Sequence, residues 1–443
     1  MESNSIKLND VFDQNLIIIL TSFLGFEDVL HALSKLNKQF NKQLDGSLDY
    51  LWKQLYVEEF LHENYVDHQK VEGESYRDFF IRSFGIYQRM RMTMREIFRI
   101  TLEKSTEDRQ EGFLRSFTNR KPHSYIAGQK YITFQYECFY KNFEEKNSQQ
   151  QDIIHLLIQQ NQYYIIENYK LLNTRFYDHH LQLCLLSPST VKMVQNILYQ
   201  RYKQIQLPFM HVLNYRHSLI IDVNNDYQQG HGSLISQGGP DRTVFLYLGK
   251  DILSYMESHL RKLQADYYYS LRGEVESYER NPRDAFGSTT ITNGVKIDAV
   301  ANYIHIFSVF DKEHYGNECR YFFSYQIRIS ADPNHQGEFY KCQLKNRFWS
   351  IQEGDEVNET QGPGVIGKYP IVEQGMREFV YESCCPTKVL GTQMSGYFEF
   401  QYLEGPNEGY SFKAKIDPFT LNLEEGTRLI KNPIFEPWMH QHQ

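Results

Sequence analysis

Residues 361–371 read Gln361-Gly362-Pro363-Gly364-Val365-Ile366-Gly367-Lys368-Tyr369-Pro370-Ile371. Gly362, Gly364 and Gly367 spell G-x-G-x-x-G, the spacing that joins a strand to a phosphate-binding helix in dinucleotide-binding folds. Here Lys-Tyr-Pro-Ile-Val follows the last glycine, and Pro370 with the β-branched residues favours an extended segment over a helix. The three glycines therefore predict tight turns, with nucleotide binding as the alternative.

The sequence around this motif alternates with a period of two. In the segment 321–329 every odd position is apolar or aromatic, and in 396–402 the residues Phe398, Phe400 and Tyr402 share one face. Turn dipeptides such as Asp332-Pro333 and Gly405-Pro406 separate these runs. The pattern predicts a compact antiparallel β-sandwich.

Four separated motifs resemble the ApaG domain in both residue type and spacing. They are Lys345-Asn346-Arg347-Phe348-Trp349-Ser350-Ile351, Glu359 to Gly367, Pro370-Ile371 with Gly375, and Gly391-Thr392-Gln393-Met394-Ser395-Gly396-Tyr397-Phe398. The resemblance implies a fibronectin- or immunoglobulin-like all-β sandwich over residues 290–425, with Gly362, Gly364 and Gly367 as family-motif glycines. In eukaryotes such domains form the carboxy-terminal part of F-box proteins.

Composition limits the other possibilities. A chain of 443 residues predicts two to four domains, and its formal net charge of -8 argues against general affinity for nucleic acid or membranes. Six cysteines lack the spacing of a zinc site, so we expect no metal and no cofactor. We find no signal peptide pattern near the start and predict a cytoplasmic or nuclear protein.

The first 60 residues carry helical apolar periodicity. Their order resembles the F-box over residues 8–60, a three-helix all-α unit, although Phe12-Asp13 stands where that family usually has Leu-Pro. The resemblance implies contact with a Skp-type adaptor, and through it with a cullin, by Phe12, Leu16, Leu20, Leu24, Asp28 and Leu30. Alternatively, the leucines in this set pack inside a three-helix core of the chain itself. For three further apolar residues, Leu33, Leu36 and Trp52, we prefer this internal packing.

A multidomain chain is therefore predicted. A helical connector over 61–119 carries Arg89, Arg91, Arg95 and Arg99 among methionines, which favours a solvated helix with a methionine-lined inner face over a nucleic-acid or calmodulin-type surface. Residues 120–270 predict an α+β domain, with a helix over 188–202, strands over 207–212, 218–223 and 243–248, and a final helix from Asp251 to Tyr267. This domain resembles the SUKH domain, mostly on the strength of 205–267 and of domain order. A linker over 271–289 and a tail over 426–443 complete the prediction.

No catalytic motif is present, and the prediction is a non-catalytic protein. The domain order favours the substrate-recognition subunit of an SCF-type cullin-RING ubiquitin ligase. The alternatives are a structural scaffold protein and a nucleotide-binding module. For the target protein we predict an exposed binding edge along Glu359 to Tyr369 and the strand Tyr397 to Tyr402, with contact residues Glu359, Gln361, Tyr369, Tyr397 and Glu399.

Overall fold

The computed structural model describes residues 52–53, 72–104, 170–176, 179–185, 207–212, 217–222, 225–230, 233–237, 244–271, 274–284, 286–310 and 320–431. The chain divides into two compact units, Met1–Met92 with Ser124–Asn142 and Thr93–His123 with Phe143–Gln443. Of the predicted F-box-like helices, only Trp52 and Lys53 are described, and both are helical. The predicted adaptor-contact residues lie outside the described part of the chain.

Helix α1, Tyr76–Lys104, forms the described part of the predicted connector. In the first unit Phe80 is fully buried and its ring lies 5.7 Å from that of Trp52, which is 1% exposed. The predicted methionine-lined inner face is confirmed at Met90, which is buried, but is wrong at Met92, which is 69% exposed. In the second unit Arg99 is paired with Glu96 and Glu103, each at 2.6 Å, so acidic neighbours balance this arginine.

The middle region of the second unit contains a nine-stranded sheet with the order β18-β6-β5-β4-β3-β2-β1-β8-β7. Neighbouring strands are antiparallel except β1 and β8, which are parallel. The strands are β1 Lys170–Phe176, β2 His179–Leu185, β3 Leu207–Val212, β4 His217–Asp222, β5 Ser233–Gln237, β6 Val244–Gly249, β7 Tyr268–Leu271, β8 Glu274–Glu279 and β18 Arg428–Lys431.

Helix α2, Ile252–Gln264, packs against β5 and β6. It begins where the sequence predicts, because the Asp251 side chain accepts a hydrogen bond of 2.7 Å from the backbone N–H of Ser254. Its buried face carries Ile252, Leu253, Met256 and Leu263. The predicted strands at 207–212, 218–223 and 243–248 are confirmed as β3, β4 and β6, whereas the predicted helix at 188–202 lies outside the described residues.

The carboxy-terminal region is an all-β sandwich, as predicted. A four-stranded sheet has the order β15-β11-β10-β9, and a five-stranded sheet has β13-β12-β16-β17 with β14 paired to β12. The strands are β9 Ser288–Thr292, β10 Val295–Tyr303, β11 Tyr321–Ala331, β12 Cys342–Glu353, β13 Glu356–Pro363, β14 Ile371–Val372, β15 Phe379–Thr387, β16 Thr392–Tyr402 and β17 Ser411–Leu421.

The core of the sandwich lies between these two sheets. Trp349 of β12 is 2% exposed and makes edge-to-face contacts with Tyr325, Phe398 and Phe419, with ring centroids 5.7 to 6.1 Å apart. These four rings come from both sheets, so the alternation in the sequence predicts the inward residues correctly. Phe398 and Phe400 are fully buried, and Tyr402 packs partly buried against the same core.

The strand β11 departs from the predicted pattern because both of its faces are covered. Gln326 and Arg328 point away from the core yet are 0% and 2% exposed. The strands β1 and β8 of the middle sheet lie against β11 and β10, and Arg328 stacks 4.7 Å from the ring centre of Tyr269. The amide of Asn302 also donates to the Ser277 hydroxyl at 2.8 Å. The middle sheet therefore covers the outer face of the four-stranded sheet.

Two predicted connecting segments contribute strands instead. The predicted linker 271–289 contains β8, which pairs with β1 and β7, and the start of β9. The predicted tail begins with β18, where Arg428–Lys431 pair with β6 in antiparallel register. Arg428 also lies 3.8 Å above the ring of Tyr247 and donates to Gln229 at 2.6 Å. These partners are distant in sequence, so local pattern does not reveal them.

Buried ionisable groups lie where α2 meets β7 and β8. His259 is 4% exposed, and its Nδ1 lies 3.2 Å from the Tyr268 hydroxyl. Burial lowers the pKa of His259 to about 3, and the nearby charge of Lys262 acts in the same direction. Burial also raises the pKa of Glu279, which accepts a hydrogen bond of 3.0 Å from the Tyr267 hydroxyl. The folded state therefore holds His259 in its neutral form.

This histidine predicts acid sensitivity. Its pKa falls from 6.5 in the unfolded chain to about 3 in the folded chain, so its contribution is present above pH 6.5 and is lost as pH falls toward 3. Between pH 7 and pH 5 the wild type should lose roughly 2 kcal/mol of unfolding free energy that His259→Asn does not lose. Urea unfolding at several pH values measures the two slopes. If the unfolding free energies of the two proteins change equally between pH 7 and pH 5, His259 is not the buried neutral group that we describe. Between pH 7 and pH 8 the two should change equally, which is the internal control.

Candidate functional site

The glycine motif forms a tight turn between β13 and β14. The backbone N–H groups of Val365 and Lys368 each donate to the carbonyl of the other at 2.9 Å. Ile366 and Gly367, the two central residues, have φ values of 47° and 68°. Positive φ at both central residues is the geometry of a type I′ hairpin turn. The motif thus reverses the chain direction beside the edge of the five-stranded sheet.

This geometry differs from that of a nucleotide-binding glycine loop. In such a loop the glycines lead into a helix whose N-terminus faces the phosphates. Here the residues after Gly367 run through Pro370 into β14, Ile371–Val372, so no helix N-terminus follows the motif. The structural basis of the predicted nucleotide-binding alternative is therefore missing.

Two glycines are required by close contacts. Gly364 has φ of 57°, and a Cβ atom there would lie 2.5 Å from the carbonyl oxygen of Lys368. Gly396 of β16 lies so close to β12 that a Cβ atom would lie 2.0 Å from the carbonyl oxygen of Phe348. Gly367 has a positive φ, but no atom lies within 4 Å of the position of its absent Cβ.

These contacts predict different losses of stability for alanine substitutions at Gly364 and Gly367, two glycines of the same turn. Gly367→Ala should lower the unfolding free energy by about 1 kcal/mol, because alanine is strained at positive φ. Gly364→Ala adds a backbone clash and should lower it by roughly twice that amount or more. Chemical denaturation of the two variants measures the difference. Equal losses would show that the close approach at Gly364 does not constrain the turn.

The outer face of the five-stranded sheet brings together most of the residues predicted to bind a target. Cross-strand register places Gln361 opposite Phe348, Phe348 opposite Tyr397, and Tyr397 opposite Lys415. Because directly opposite residues share a face, these four side chains form a row across β13, β12, β16 and β17. Glu359 belongs to the same face through its pairing with Ser350.

The centre of this outer face is aromatic and its surroundings are charged. The rings of Phe348 and Tyr397 stack with centroids 5.0 Å apart and planes at 15°. The Lys413 ammonium lies 4.3 Å from the Tyr397 ring centre, and Glu399 accepts a hydrogen bond of 2.6 Å from the Asn346 amide. An aromatic pair within a ring of polar groups is typical of protein interaction surfaces.

The predicted binding edge needs one correction. The strand β13 is at the end of its sheet and its residues 356–361 are exposed, so it is an edge strand. The strand β16 is not an edge strand, because it lies between β12 and β17 and is hydrogen-bonded to both. Tyr397 and Glu399 reach the surface through the outer face instead. Tyr369 follows the turn and is 47% exposed.

Sequence reasoning missed Phe348 and Lys413 as members of this surface. Phe348 belongs to one of the four family motifs, and its place next to the buried Trp349 in an alternating strand is the signal that it points outward. Lys413 joins the surface only through the register of β16 with β17, which pairs it with Glu399. Register between strands is not encoded in any single short segment, and for that reason the residue escaped prediction.

The thiols of the sandwich serve packing. Cys384 and Cys385 are adjacent in β15, and Cys385 is 5% exposed within the core. Burial, with a smaller effect of nearby Glu353, raises the pKa of Cys385 to about 12, so this thiol is not a nucleophile at neutral pH. Within the described ranges no group of three or more His, Cys, Asp or Glu side chains is placed to hold a metal ion.

Comparison with known proteins agrees with this geometry. The family model described as the ApaG domain matches residues 311–402. Protein ApaG of Methylobacterium radiotolerans is 31% identical over 132 residues, which cover 89% of that protein and 30% of this chain. The chain belongs to the ApaG family. The sandwich is accordingly an ApaG domain, and the outer face is one surface of it.

Two longer proteins are also similar to this chain. F-box protein SKIP16 of Arabidopsis thaliana is 32% identical over 184 residues, which are 39% of this chain and 41% of that protein. F-box only protein 3 of Homo sapiens is 27% identical over 157 residues, or 35% of this chain and 31% of that protein. The matched segments thus span less than half the length of these F-box proteins.

Proposed function

We propose that this protein is the substrate-recognition subunit of an SCF-type cullin-RING ubiquitin ligase. One observation carries the proposal: an ApaG domain occurs in one chain with an amino-terminal segment that resembles the F-box, and similar proteins bear F-box names. In this proposal residues 8–60 bind a Skp-type adaptor through Phe12, Leu16, Leu20, Leu24, Asp28 and Leu30, and the adaptor links the chain to a cullin.

The role of such a subunit is positional. The ApaG domain, with or without the SUKH-like middle region, holds a target protein while other subunits supply the ubiquitin-loaded enzyme. Keeping two reactants together raises their effective concentration without any catalytic residue in this chain. We propose the cytoplasm or nucleus as the location, and no cofactor.

The outer face of the five-stranded sheet is the surface that we propose for the target. The middle sheet already covers the four-stranded sheet, whereas Phe348, Tyr397 and their charged neighbours are only partly buried. The edge strand β13 adds a second means of contact, since its outer backbone groups pair with no strand in the described part of the chain. An extended segment of a target can extend the sheet there.

Adaptor binding is tested with purified full-length protein and a Skp-type adaptor at micromolar concentration. The wild type should form a complex, and Leu16→Asp with Leu20→Asp should weaken it roughly 100-fold or more, because two carboxylates would enter an apolar interface. Val357→Asp, at a 57% exposed position of β13, is the matched control and should bind normally. No complex, or a complex indifferent to the double change, would favour the scaffold alternative.

Target binding is tested on the outer face. Phe348→Ala with Tyr397→Ala should reduce recovery of ubiquitinated partners about 30-fold while adaptor binding persists, because aromatic anchors dominate such interfaces. Tyr410→Ala removes a 72% exposed ring and serves as the control. Quantitative mass spectrometry of captured proteins compares the three chains. An unchanged set of partners in the double variant would place the target elsewhere.

A further inference from the structure

A cavity of about 230 Å³ opens between the two sheets of the ApaG domain, beside the glycine turn. Its walls include the aromatic rings of Tyr325, Trp349 and Tyr381 and the apolar side chains of Val365 and Met394. A dry apolar cavity of about 150 Å³ holds benzene, and pockets for drug-sized ligands begin near 300 Å³. This cavity therefore suits one aromatic ring with a short substituent and is too small for a nucleotide.

A single cation, Arg347, lines the cavity. Its Nη1 donates to the carbonyl oxygens of Pro363 at 3.2 Å and Gly364 at 2.9 Å, which holds the guanidinium against the turn. The guanidinium lies beside Gly362, at ordinary van der Waals distance from the position that a Cβ atom would take. Among residues 320–431 no carboxylate forms an ion pair with Arg347. The remaining N–H groups suit a bound anion.

The rim of the cavity contains a strained residue. Ile366 has φ of 47°, a region that a β-branched side chain rarely adopts, and asparagine or glycine would suit this turn better. The side chain of Ile366 lines the cavity and is 43% exposed. Such strain persists where the side chain has another use. An apolar contact with an occupant of the cavity supplies that use.

We propose that this cavity binds a small monocarboxylate with an aromatic or branched apolar body. The apolar body lies between the sheets against Trp349 and Met394, and the carboxylate accepts hydrogen bonds from Arg347. The binding is non-covalent, because a free carboxylate is not an electrophile toward the Cys384 and Cys385 thiols that line the cavity. This site is separate from the outer face and does not depend on the ligase proposal.

The test uses full-length protein titrated by calorimetry with phenylacetate, its neutral analogue phenylacetamide and the cation phenethylamine. Phenylacetate should bind saturably with a Kd of about 1 mM or tighter. The amide and the amine should bind at least about tenfold more weakly than phenylacetate, because they lose the charge-assisted hydrogen bonds. Equal affinity for the acid and the amide, or no saturable binding of phenylacetate, would overturn the proposal.

Three variants locate the site. Arg347→Gln should lower phenylacetate affinity about tenfold, whereas Lys388→Gln, which removes a 66% exposed positive charge that does not line the cavity, should leave it unchanged. Ile366→Asn relieves the turn, so its melting temperature should stay equal or rise while affinity falls several-fold. A melting temperature at or above that of the wild type would show that Ile366→Asn is folded, and unchanged affinity in it or in Arg347→Gln would then refute the assignment.

Discussion

The burial of Trp349 between the two sheets of the ApaG domain is the interaction on which the other features depend. Its ring meets Tyr325, Phe398 and Phe419 from three other strands, and a side chain of this size cannot be exposed without opening the core. Once Trp349 points inward, the pleat of β12 directs Phe348 outward. The register of β12 with β16 then sets Tyr397 beside Phe348. The core and the outer face are two results of one alternation.

Glycines allow the close packing and the tight turn around strands β12 and β16. Gly396 lets β16 approach the backbone of β12. The turn that Gly364 and Gly367 permit closes one end of the sandwich next to the cavity. A motif that in other folds binds phosphate is used here for chain reversal and close packing, and a small open cavity with one cation lies beside it.

The sequence predicted those features that depend on local pattern. Alternation identified the inward residues of β16, the proline after the glycines argued against a helix, and Asp251 marked the start of α2. Contacts between distant segments escaped prediction. Gln326 and Arg328 look like surface residues in β11 until β1 and β8 cover them, and the strand Arg428–Lys431 gains its role only through β6. The cavity likewise requires residues from both sheets.

The middle sheet covers the outer face of the four-stranded sheet, so that face is not open to a target protein. In the described part of the chain this coverage leaves the five-stranded sheet as the broad open face of the ApaG domain, with an aromatic centre and an edge strand. The central claim is that this chain brings a target to a ubiquitin ligase. Stoichiometric capture of the intact protein from cells, with mass spectrometry for associated subunits, tests it most directly. The account predicts a cullin together with a Skp-type adaptor, and a stable assembly that contains neither would contradict it.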